Sequence, residues 1–189
     1  MKLVNSLFSV MALGILVTSA VGCASSPPPD IVETPDPTRL PTPYTANQIR
    51  AAMPEGTLIW MRMETPGKVT QEEWEVVDAD DETCTMSSKV YDESGKKLLE
   101  DKGERTHKWT ELRDHASFPI ATTMRAEGRI DTPVGSFDSW LYIADTVGED
   151  GLPLLMHFHF AKELPGPPVL MTRTVDGKTV LTMKMVGRR

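Results

Sequence analysis

The chain has 189 residues, with 27 Asp and Glu against 20 Lys and Arg, a formal net charge of −7 and a pI near 5.1. That balance excludes nucleic acid as a partner, because phosphate recognition needs clustered Lys and Arg and the closing run 186–189 is too small a basic patch. Two cysteines exclude a disulfide-dense scaffold, so stability has to come from packing.

Residues 1–22 begin with the positive Lys2 and continue as an uncharged apolar stretch ending in small residues, the pattern of an export signal rather than of a folding unit. The apolar run is shorter than the ~20 residues a helix needs to cross the hydrocarbon core, and no later stretch replaces it. Ala20, Val21, Gly22 and Cys23 resemble the lipobox of bacterial lipoproteins, with Ala20 standing where that family more often carries leucine. The resemblance implies cleavage before Cys23, a diacylglyceryl group on its sulfur and usually an N-acyl chain such as palmitate. It also implies the membrane as a partner through that lipid. Because a single chain holds a protein only marginally, at roughly 0.8 kcal/mol per buried CH₂, the several chains of a lipoprotein imply durable anchoring. Ala24 and Ser25 occupy positions where an aspartate favours inner-membrane retention in enterobacterial lipoproteins, which implies the periplasmic face of the outer membrane.

Residues 23–43 contain seven of the fifteen prolines and few apolar residues, so they read as a tether, either a stiff extended one or a plain linker. A single folded domain, 44–189, follows. Its first element is a short amphipathic helix predicted over Ala46 to Met53, with Thr45 and Gln48 at capping-box spacing and Pro54 and Gly56 at its end. Four strands then follow from period-two alternation at 57–64, 69–78, 83–92 and 96–104. Trp109, Leu112 and Ala116 recur at helical spacing ahead of Pro119, predicting a second short helix from Trp109 to His115. Five more strands are expected at 122–130, 136–145, 154–162, 169–175 and 178–186, the last two joined by the two-residue turn Asp176-Gly177.

Strands in series with short turns pair antiparallel, so the fold class is mainly β with some α: a curved antiparallel sheet or partly closed β-barrel carrying two short helices. That architecture resembles the periplasmic lipoprotein carriers and their outer-membrane acceptors, whose open barrels hold acyl chains. The segments 132–142 and 158–171 are similar to periplasmic β-sheet domains of unassigned role.

Methionine is the most suggestive side chain: Met61 with Met63 and Met183 with Met185 each share a strand face. Soft thioethers serve as core filler, as the wall of an adaptable apolar pocket, or as copper(I) ligands. For an apolar small molecule such as an acyl chain, the wall residues expected are Trp60, Met61, Met63, Trp140, Phe158, Phe160 and Met183. His157 and His159 share one strand face, but no neighbouring spacing supplies a third ligand, so no metal is assigned. Cys84 reads as a small buried hydrophobe. No nucleophile elbow, zinc-protease helix, phosphate loop or dinucleotide fingerprint occurs, so no catalytic residue and no cofactor are assigned. The expectation is a non-catalytic lipid-anchored binding domain. The alternative is an envelope scaffold with a solid core that engages a protein partner through an edge strand or the tether.

Overall fold

A computed structural model describes Asp30, residues 36–148 and residues 151–189. The export signal, Cys23 and most of the tether lie outside the described residues. The first helix, α1 (Ala46–Ala52), is capped as its sequence predicts. The Gln48 amide donates to Thr45 Oγ1 at 3.1 Å, and the Thr45 amide donates to Gln48 Oε1 at 2.8 Å.

Four strands come next: β1 (Leu58–Thr65), β2 (Lys68–Ala79), β3 (Thr83–Asp92) and β4 (Leu98–Lys108). Helix α2 (Trp109–Asp114) and a single 3₁₀ turn (Ile120–Thr122) lead into β5 (Thr123–Thr132), β6 (Gly135–Val147), β7 (Pro153–Ala161), β8 (Leu170–Val175) and β9 (Lys178–Arg188). Asp176 and Gly177 between β8 and β9 both have positive φ, 47° and 72°, as a type I′ hairpin turn requires. Strand β4 runs four residues beyond its predicted end. His107 and Lys108 continue the ladder opposite Cys84 and Thr83 before the helical residues begin.

All nine strands form one antiparallel sheet in the order β4-β3-β2-β1-β9-β8-β7-β6-β5. The first and last strands meet at its centre, while β4 and β5, consecutive in the chain, are the two edges. The sheet is not closed, since β4 and β5 do not pair. A flat sheet would hold β4 and β7 roughly 30 Å apart at ~4.8 Å per strand spacing. Here side chains of both line one cleft, so the sheet wraps strongly around its inner face. The α2 connection from edge to edge lies on that inner side, packed against α1.

The core fills the inner face. Ile59, Met61, Met185 and Tyr142 from the strands meet Ile49 and Met53 of α1 and Trp109 of α2. Arg188 fastens this arrangement: its guanidinium donates to the Ala52 carbonyl at 2.6 Å and to the Pro165 carbonyl at 3.0 Å, tying the end of α1 and the β7–β8 connection to β9. Upstream of α1 the chain already follows the body. Leu40 donates to the Phe118 carbonyl, Ile120 donates to the Thr38 carbonyl, and the Tyr142 hydroxyl donates to the Pro41 carbonyl. The last eight residues of the stretch read as tether therefore lie against the domain. Among the described residues, no helix is long and apolar enough to cross a membrane.

Candidate functional site

Alternation decides which side chains can meet on the inner face. On β1, Met61 stands opposite Glu72 of β2 and Met185 of β9, and Met63 stands opposite Thr70 and Met183. Met183 in turn faces Met171 of β8, and Met171 faces Phe158 of β7. Phe158 is paired with Tyr142 and Phe160 with Trp140 on β6. A continuous band of thioethers and aromatic rings thus crosses the sheet from its centre towards β6, and Phe118 closes on it at 4.9 Å from the Phe158 ring and 5.1 Å from that of Tyr142.

Between this band, the two helices and β4 lies a cleft of about 940 Å³, open along one side. That volume is at the upper end of the ~300–1,000 Å³ typical of small-molecule sites. Its apolar wall is built by Ile49 of α1 and Met53 at its C-terminal cap, Leu112 and Ala116 at α2, and Phe158, Phe160 and Met183 of the sheet. Trp74 and Met86 continue the wall on β2 and β3. Its other end is polar, lined by Glu100, Asp101, Lys102, Arg105 and His107 on β4 and by Arg113 and His115 at α2. The His107 and His115 rings approach edge to face with centroids 6.4 Å apart, so β4 and α2 converge at that end.

Glu72 stands on the inner face of β2 opposite Met61, and Glu100 and Asp101 of β4 also border the cleft. Burial opposes ionisation of Glu72, yet hydrogen bonds from Lys102, Trp74 and Ser88 outweigh that penalty and hold its carboxyl below the ordinary carboxylate value. Lys102 Nζ donates to it at 2.6 Å and Ser88 Oγ at 2.8 Å.

Of the seven wall residues expected from sequence, Phe158, Phe160 and Met183 line the cleft. Met61 is on the same face but wholly buried beneath it, and Met63 packs beside it as part of the core. Trp140 is also on the inner side, displaced towards the β5 edge, where Arg125 and Lys162 cover its ring at 4.0 and 3.9 Å. Trp60 is placed elsewhere. As Met61's neighbour in an extended strand it points to the outer face, where its ring packs 5.2 Å from that of Tyr91. His157 and His159 occupy the face opposite Phe158 and Phe160. Burial and the neighbouring His157 hold the His159 imidazole below its ordinary pKa, and its Nδ1 is buried without a partner. Among the described residues, no group of three or more His, Cys, Asp and Glu is arranged to hold a metal ion. Cys84 is 1% exposed, and burial, with a smaller contribution from Asp80, pushes its thiol up to about 11.

Sequence reasoning missed the charged end of the cleft and the contribution of α1. Residues 96–104 read only as a strand, because nothing local announces that the face of β4 curls over to meet α2. Comparison of the chain with protein-family models, with curated proteins and with solved structures finds no match.

Proposed function

We propose that this protein is a non-catalytic lipoprotein, held by acyl chains on Cys23 to the periplasmic face of an outer membrane, whose domain binds an apolar ligand such as an acyl chain. The observation that carries the reading is the cleft itself: about 940 Å³ of space walled by Ile49, Met53, Phe158, Phe160 and Met183, in a domain small enough to fill its core completely. Thioether and aromatic walls suit a ligand of variable shape, because methionine adapts by rotating unbranched bonds. The lipobox-like run ending at Cys23 supports the anchor and the address, and the prolines after it support a spacer between membrane and domain. An anchored domain of this kind takes up hydrophobic molecules near a bilayer that its body does not enter.

The test is extraction. Protein isolated from its native cell without added detergent, treated with organic solvent and examined by mass spectrometry, yields a co-purifying acyl-chain compound in near-stoichiometric amount. Solvent extracts without lipid, from protein that also fails to take up a fluorescent fatty alcohol, would reject the reading. Intact-mass measurement of the N-terminal peptide separately tests Cys23, where acylation adds the mass of the attached chains.

A further inference from the structure

We infer that the charged end of the cleft is a headgroup site for an anion, so that the ligand is an anionic amphiphile whose acid group lies between β4 and the C-terminal end of α2. The inference rests on the reading of the cleft as an acyl-chain site and adds the chemistry of the other end of the molecule. The lining is uneven: its apolar side chains come from α1, β2, β3, β7 and β9 with Leu112 and Ala116 at α2, whereas Arg105 and His107 of β4 and Arg113 and His115 at α2 make one end polar. A ligand with one apolar and one charged end matches both, whereas a plain hydrocarbon would strip water from the charged end without replacing its hydrogen bonds.

The sign of that end follows from which charges are already engaged. Lys102 is paired with Glu72 at 2.6 Å, which neutralises the buried carboxylate in the wall. Asp101 is paired in the ladder with Lys89, on the side of the sheet where its charge acts on Tyr91, and Glu100 lies towards the far end of β4, roughly 20 Å from His107 at ~3.3 Å per residue. The acidic loop beside α2 does not line the cleft. The Asp80 carboxylate accepts from the Glu82 and Thr83 amides, and Asp81 pairs with Arg50. Arg105, by contrast, makes no ion pair among the described residues. It sits on the same face of β4 as His107, two residues away, and His115 approaches His107 from α2. One guanidinium and two imidazoles therefore offer N–H donors to a single place in a chain whose net charge is −7. Carboxylate and phosphate monoester groups both fit that donor set. Guanidinium binds either in bidentate fashion.

The test compares ligands of one chain length on the mature protein, residues 23–189 with Cys23→Ser. Hexadecyl phosphate, palmitate, hexadecanol and hexadecyltrimethylammonium each displace a fluorescent fatty alcohol. The phosphate and the carboxylate bind at least tenfold more tightly than the alcohol, and the trimethylammonium compound more weakly. In the double variant Arg105→Gln, His107→Gln the two anions fall to the affinity of the alcohol while the alcohol is unchanged, which also shows that the cleft is still formed. Equal affinity for anion and alcohol, or preference for the cation, would overturn the headgroup assignment and leave the acyl-chain reading standing. Inorganic phosphate competing as well as hexadecyl phosphate would assign the cluster to a free anion and overturn it equally. Failure of every chain to bind would remove both.

Discussion

Lys102 on the edge strand β4 donates to the Glu72 carboxylate on β2 at 2.6 Å, reaching past β3 at the point where Ser88 faces Gly103. Two local features allow this. The ladder shifts register between Ser88 and Lys89, making Lys102 an extra residue on β4, and Gly103, with φ of 73°, has no side chain to intervene. The pair holds the curled edge of the sheet to its middle and neutralises the Glu72 carboxylate in the cleft's wall.

Replacing Glu72 with Gln should lower the unfolding free energy at pH 7 by about 1 kcal/mol, an amount limited by the solvent that reaches Lys102, whose side chain is 41% exposed. The Glu72 carboxyl titrates below its ordinary value of 4.5 in the folded protein, so its contribution is complete above that value and is lost as the pH falls through the lower folded value. Stability of the parent should therefore drop on acidification more steeply than that of Glu72→Gln. Urea unfolding at intervals from pH 7 to pH 3 measures both curves, and parallel curves would contradict the coupling.

The methionine band is floor as well as wall. Met61 and Met185 face each other across β1 and β9, each at 0% exposure. Met61→Ala or Met185→Ala should each cost about 2–5 kcal/mol, the usual range for truncating a fully buried long side chain. Because the two touch one shared space, the double variant should cost less or more than the sum rather than equal it. Met63→Ala, at a half-buried position, should cost distinctly less. Chemical denaturation with the slope compared among variants separates these outcomes.

Arg188 joins three elements through two carbonyls, and its burial lowers its pKa without discharging it. Arg188→Ala should destabilise the protein by roughly 1.5–3 kcal/mol, as expected for losing hydrogen bonds to a charged group. The loss should be local first. Amide exchange in α1 and in the β7–β8 connection should quicken, while amides of β2 and β3 keep their protection, which hydrogen-exchange mass spectrometry resolves segment by segment.

The parts of this fold that were legible in sequence are those decided within a few residues. Thr45 and Gln48 form their capping box, and Asp176-Gly177 turns the last hairpin, because each needs only its own neighbours. Strand alternation likewise placed Phe158 and Phe160 together and His157 and His159 on the other side. Trp60 illustrates the limit of reading composition before parity: it stands next to Met61, and adjacent residues of one strand cannot share a face. The headgroup end was illegible for a different reason. The β3–β4 ladder shifts register at Lys102 and again at Leu99 of β4, so counting by twos along that strand loses the face, and the approach of His115 to His107 depends on how far the whole sheet bends. Curvature of that kind is a property of nine strands together.

Cys84 supplies a test that joins the fold to the anchor. Its thiol is 1% exposed and raised from 9.0 to about 11, which at pH 8 reduces the thiolate by about 100-fold before access is considered. A maleimide or disulfide reagent should therefore leave Cys84 almost unmodified over minutes in the native protein and label it promptly once guanidinium unfolds the sheet. Residue 23 is the only other cysteine, so the total number of reactive thiols after unfolding is informative. Protein taken from its native membrane should expose one reactive thiol per chain if the Cys23 sulfur carries a diacylglyceryl group, and two if it does not. Rapid labelling of the folded form at Cys84 would contradict the packed inner face. A count of two would remove the anchor while leaving the cleft, and whatever it binds, intact.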